Sequence, residues 1–221
     1  MKPGLPNVVA TKAMTLIEVL VVISIIVVVL VFTAIPVNRD TKSKAVVCTS
    51  NLKEVFVGFW MWRGDHENKF PWQISVTNGG TRELISNGQA FNHFLALSNC
   101  PIQPKRFICP TDNARHVADS YESFSNQNLS YFVGLLSMTN SSTISILAGD
   151  RHLQAEGKPL KPGLFALTRN MTMGWTHELH SNKGSATKGV LVFADGHAET
   201  CRNPTDVFRG QNPPTNLLVI P

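Results

Sequence analysis

Between Met14 and Ile35 the chain reads MTLIEVLVVISIIVVVLVFTAI, 22 residues in which Glu18 is the one charged side chain. A helix built from it would be apolar on every face. At 1.5 Å per residue it would be about 33 Å long, enough for a hydrocarbon core of roughly 30 Å. The pattern therefore predicts a membrane-spanning helix over 14–35. From Ala45 the pattern changes. Ala45, Cys48, Leu52, Val55, Phe59 and Trp62 recur in steps of three and four, one stripe along a helix, while Lys44, Thr49, Asn51, Lys53 and Glu54 fall mostly off it. Pro36 removes a backbone donor and disfavours helical geometry at Ile35, so a kink or short break is expected there. Gly64 is a plausible helix stop. Residues 36–64 thus read as an amphipathic continuation of one long N-terminal element.

Beyond Gly64 the helical period is lost. DHENKFPW reads as a polar turn, Ala90–Leu97 as a short helix, and Cys100–Asp112, with three prolines, as a loop. Strands are expected at Leu129–Leu136, Thr143–Leu147, Gly163–Leu167 and Gly189–Ala194. The last, GVLVFA, is apolar on both faces and belongs inside a sheet. Asp195-Gly196 suggests a two-residue type I′ hairpin with His197–Cys201 as the return strand. From Asn203 four prolines suggest a loose tail ending in an apolar patch, Leu217–Ile220.

The chain has 221 residues and a formal charge of +5. That excess is mild and has no long basic run, so no nucleic-acid partner is expected. No nucleophile elbow, phosphate loop or dinucleotide fingerprint occurs, and no enzymatic activity is expected.

The residues Thr11-Lys12-Ala13 followed by MTLIE and a long apolar run resemble the prepilin-type N-terminus of type IV pilins and of the pseudopilins of type II secretion. That resemblance implies a leader over 1–13, cleavage between Ala13 and Met14 by a prepilin peptidase, N-methylation of Met14, and Glu18 as the fifth residue of the mature chain. Ala13 stands where the family has Gly, and Pro36 comes one residue later than the usual helix proline. Loss of Lys2 and Lys12 with the leader would lower the charge to +3, 18 basic residues against 15 acidic. CTSNLKEVFVGFWMWRGDHENKFP, FICPTD, ILAGDR and VLVFADGHAE are similar to pseudopilin-like proteins of planctomycetes and verrucomicrobia. Asp195-Gly196 is similar to their histidine–nine residues–Asp-Gly motif, although fourteen residues separate it from His180 here. The implied fold is α+β and pilin-like: a long N-terminal helix, transmembrane in its first half, packed on a small antiparallel sheet. The domains would be the leader 1–13, helix 14–35, its amphipathic continuation 36–64, a globular β domain 65–202 and a Pro-rich tail 203–221. The implied role is a filament subunit, single-pass in a bacterial inner membrane with its globular domain in the periplasm. Its partners would be the peptidase, other pilin-like subunits, an inner-membrane assembly platform and membrane lipid. In that setting Glu18, costly in an apolar segment, would pair with the freed Met14 amine of a neighbouring subunit and fix the helix register.

Other residues carry weaker chemistry. Cys48, Cys100, Cys109 and Cys201 are disulfide candidates in an exported chain, and no C-x-x-C pair suggests zinc. Three pairings are open, with Cys48–Cys109 preferred. His177, His180, Asp195 and His197, with Glu178, form the alternative reading, a membrane-anchored metal-binding protein or enzyme; His177 and His180 would share a face if Trp175–Ser181 were helical. A pilus-tip binding module is a third reading. No cofactor is expected apart from calcium, for which Asp65, Glu67 and Asn68, or Asp112 and Asn113, are candidates without EF-hand spacing. Trp60, Trp62 and Trp72 with Arg63 offer a stacking surface or, at helical spacing, core.

Overall fold

The computed structural model describes residues 14–34, 40–135, 145–168, 170–176, 180, 187–210 and 217–221, without the side chains of 32–34 and 40–43. The proposed leader over 1–13 lies outside the described residues. The chain divides into two units, Met1–Asn38 and Arg39–Pro221.

The first unit holds helix α1, Leu16–Ala34, of 19 residues. It starts two residues later than the apolar run, and its described residues end at Ala34. Its length is about 28 Å, and the part with described side chains, Leu16–Val31, covers about 24 Å. Among the described residues no helix is long and apolar enough to cross a membrane. The expected architecture is corrected accordingly. Among the described residues the N-terminal part holds two helices, α1 and α2 over Asp40–Gly64, and neither is long and apolar enough to be the expected membrane-spanning half. Nor is the sheet small.

Among the described residues the second unit has nine strands, in chain order β1 Tyr131–Leu135, β2 Ile146–Asp150, β3 Leu153–Ala155, β4 Lys158–Pro159, β5 Gly163–Ala166, β6 Met173–Trp175, β7 Gly189–Phe193, β8 Ala198–Cys201 and β9 Leu217–Ile220. Six form one antiparallel sheet in the order β5-β9-β1-β2-β7-β8, and three form a second, β4-β3-β6. Alternation along each strand divides the core. Tyr131, Val133, Leu147, Val190, Val192 and Val219 face the α2 side, joined by Cys48, Leu52, Val55, Phe59 and Trp62 from the predicted stripe. Phe132, Ile146, Leu191, Phe193, Leu218 and Ile220 face the other way, onto Leu153, Met173 and Trp175 of the second sheet. Both faces of the large sheet are thus covered, in keeping with central strands that are largely apolar, with Asp150 at the end of β2 an exception.

Two glycines mark close approaches. A Cβ at Gly149 would lie 2.5 Å from Leu191, and one at Gly189 would lie 2.5 Å from the Trp175 ring.

The C-terminal segment is not a loose tail. A short helix, α4, spans Pro204–Arg209, capped by Asn203, whose side chain accepts from the Thr205 N–H. Strand β9 pairs with β1 on one side and β5 on the other. The hairpin between β7 and β8 also differs from expectation. Only Gly196 of the Asp-Gly pair has positive φ, at 88°, and its N–H donates to the Phe193 carbonyl at 3.0 Å while Phe193 N–H donates to His197. The loop is therefore Ala194-Asp195-Gly196, a three-residue turn closed by a glycine bulge.

Candidate functional site

Two places concentrate features that the fold alone does not require. The first is α1. Its described apolar side chains are all exposed, from 43% at Val19 to 80% at Leu16. Met14 precedes it, 65% exposed, while Ala13 lies outside the described residues. Glu18 has a partner inside its own turn: its Oε2 accepts from the Thr15 N–H at 2.8 Å and from the Thr15 hydroxyl at 3.0 Å, and Thr15 Oγ1 accepts from the Glu18 N–H at 3.4 Å. This reciprocal cap is the Thr-x-x-Glu arrangement that satisfies orphan donors at a helix start, where a negative charge also suits the helix dipole. Glu18 thus serves the start of its own helix.

The second place is the seam between α2 and the large sheet. Cys48 lies on the buried stripe of α2, Cys109 in the loop before Thr111, Asp150 at the end of β2 and His180 beyond β6. One donor atom from each lies within 4.8 Å of all the others. Cys48 donates its thiol proton to Asp150 Oδ1 at 3.3 Å, His180 Nε2 lies 3.3 Å from Asp150 Oδ2, and Cys109 Sγ is 3.6 Å from that same Nε2. Cys48, Cys109 and Asp150 are fully buried, and the His180 side chain is 1% exposed. Around them, the Tyr131 hydroxyl is 3.4 Å from Cys48 Sγ, the Thr111 hydroxyl 3.0 Å from Cys109 Sγ, and the Val190 N–H donates to Asp150 Oδ2 at 2.7 Å.

The electrostatics of the four groups are mutual. The Cys48 thiol, then His180 and Thr111, draw the Cys109 thiol down to about 6 against the opposing effect of burial. Burial would lower His180, but its bonds to Asp150 and Cys109 outweigh that and raise it to about 10. Burial raises Cys48 well above the usual thiol range, with Cys109 and Asp150 adding to it. A nucleophilic triad is not what this geometry makes: there the thiol and the carboxylate use opposite nitrogens of the ring, whereas both meet Nε2 here.

The remaining candidates are scattered. All four cysteines are free thiols. Cys48 and Cys109 are neighbours, but Cys100 donates to the Gly58 carbonyl at 3.6 Å and Cys201 sits in the core at the end of β8, its thiol raised to about 11 chiefly by burial. His180 is not brought together with Asp195 and His197. Those two flank the β7–β8 turn, about half exposed, with His197 Nδ1 3.7 Å from Asp195 Oδ1. His177 and Glu178 lie outside the described residues. Trp175 closes β6 and His180 has φ of 50°, so the helical reading of Trp175–Ser181 fails at those positions. Of the calcium candidates, Asp112 receives Arg151 through both oxygens, at 2.7 and 2.9 Å. Glu67 pairs with Lys69 at 2.6 Å. Trp62 and Trp72 are core; Trp60 is half exposed beneath the Arg63 guanidinium at 5.0 Å.

No family model matches the chain, and neither a curated protein nor a solved structure matches it.

Proposed function

We propose that this chain is the structural subunit of a pilin-like filament, of the kind type II secretion pseudopilins build, and that α1 is its assembly surface. The observation that supports the reading is the exposure of α1 on all sides. Burying one Val, Leu or Ile side chain is worth about 1.5–3 kcal/mol, so a helix apolar all round is strongly driven to find cover. The occupant proposed is the same helix of other copies, processed at the inner-membrane face by a prepilin peptidase, with the globular unit outside the cytoplasm. Cleavage between Ala13 and Met14 would free an amine beside the Thr15–Glu18 cap. Both internal bonds fall on Oε2, leaving Oε1 for the amine of an adjoining subunit. A charge so placed costs least when paired.

Glu18→Ala separates assembly from folding. The variant is expected to keep the unfolding transition of the second unit and to drop out of cross-linked oligomers. Normal incorporation of Glu18→Ala, or a native chain that retains residues 1–13, would overturn the proposal.

A further inference from the structure

The four-donor cluster is not accounted for by an assembly role. We propose that Cys48, Cys109, Asp150 and His180 bind one zinc ion as a closed, structural site. The first argument is geometric. In a tetrahedral zinc site with Zn–S of about 2.3 Å and Zn–N or Zn–O of about 2.0–2.1 Å, neighbouring S and N or O donors stand about 3.5 Å apart, and N and O about 3.3 Å apart. The observed separations are 3.3 Å for Cys48 Sγ to Asp150 Oδ1, 3.6 Å for Cys109 Sγ to His180 Nε2, and 3.3 Å for His180 Nε2 to Asp150 Oδ2. The first and last involve different oxygens of Asp150, so each is a pairwise spacing of the right size, and the common centre rests on one donor atom from each of the four lying within 4.8 Å of the others.

The second argument is convergence. Thiol and carboxylate both approach His180 Nε2, as donors aimed at a common point do. A Cys48–Cys109 disulfide would account for two of the four groups and leave Asp150 and His180 without a reason to join them. Donor chemistry then selects the metal. Two thiols with one imidazole and one carboxylate suit zinc, whereas calcium and magnesium take oxygen shells. With all four ligands from the protein and all buried, the site has no open position for a substrate, which marks a structural centre. Tyr131, Thr111 and the Val190 N–H are placed to orient Cys48, Cys109 and Asp150 from outside the donor set. The ion would tie four distant segments together, with Cys48 and Asp150 lying 102 residues apart and Cys109 and His180 lying 71 apart.

The test uses the full chain in detergent, purified under reducing conditions without chelator. Elemental analysis is expected to give about one zinc per chain, and X-ray absorption two sulfur neighbours at about 2.3 Å with two lighter ones at about 2.0–2.1 Å. Cobalt substitution should give the visible bands of a tetrahedral thiolate site. Cys109→Ser and His180→Gln should lose zinc to background, Cys201→Ala should retain it, and Tyr131→Phe should weaken zinc affinity about 10- to 100-fold. If ligand variants fail to fold, the cobalt spectrum and thiol titration of the unmutated chain decide alone. A folded, reduced chain that takes up neither zinc nor cobalt overturns the proposal. So does one whose Cys48 and Cys109 are recovered as a disulfide, or one that binds zinc equally well in Cys109→Ser. None of these outcomes depends on filament assembly.

Discussion

Helices α1 and α2 follow one another in the chain and answer the same physical problem in opposite ways. In α2 the apolar residues form a stripe, and Cys48, Leu52, Val55 and Phe59 are fully buried against the sheet. In α1 no stripe exists, and the described apolar residues remain exposed. The second helix is completed by its own fold, whereas the first needs cover from outside it. Substitutions in the two should therefore separate stability from association.

Phe59 meets Trp72 and Phe94 edge-on, with ring centroids 5.4 and 5.5 Å away. Phe59→Ala is expected to cost about 3–5 kcal/mol in denaturant unfolding of the second unit. Leu20→Ala, in α1, should move that transition by less than about 0.5 kcal/mol while weakening oligomers. Equal effects in the two helices would erase the distinction.

In the second unit, acid should act through a buried histidine. His93 is fully buried, its Nδ1 2.8 Å from the Thr81 hydroxyl and its ring edge-on to Trp72. Burial pushes its pKa from 6.5 down to about 4. Between those values the unfolded chain binds the extra proton, so the stability that neutral His93 preserves is complete above pH 6.5 and lost as pH falls towards 4. The loss should be on the order of 3 kcal/mol and absent in His93→Gln, read from unfolding midpoints at successive pH values.

Smaller changes sharpen the comparison. Thr15→Ala removes the cap at the start of α1 and should cost that helix about 1 kcal/mol, seen as faster amide exchange over its first turn with the second unit unmoved. On the exposed face of α2, Val57→Ala should stay within about 0.5 kcal/mol by the same denaturant measurement, because Val57 is 50% exposed.

Where one local rule decided the outcome, the sequence was sufficient. The α2 stripe, the Gly64 stop and the interior character of β7 follow from period and composition, and each is found where the pattern puts it. Where partners came from afar, it was not. Asn51, placed off the stripe, is 3% exposed because its side chain donates to the Ile108 carbonyl at 2.9 Å. Leu217–Ile220 looked like a tail because nothing local says that β1 and β5 leave a gap for it. The four-donor cluster was illegible for the same reason. Metal-site spacing rules look for ligands a few residues apart, and here each comes from a different element. Cys48 and Cys109 read as a preferred disulfide pair whose spacing argued against zinc, Asp150 read as part of ILAGDR, and of the four only His180 stood among the metal-ligand candidates. The membrane span was read from composition over 14–35, whereas the described helix covers Leu16–Ala34 and no described helix is long and apolar enough to cross a membrane.

Among the described residues strand β5 joins the large sheet through β9 alone. While a growing polypeptide has not yet delivered residues 217–220, β1 and β5 both present unpaired backbone edges, the kind that recruit foreign strands. Closure must therefore wait until synthesis has passed that point. A nascent chain stalled short of it would be a sticky intermediate that needs a chaperone more than the finished protein does.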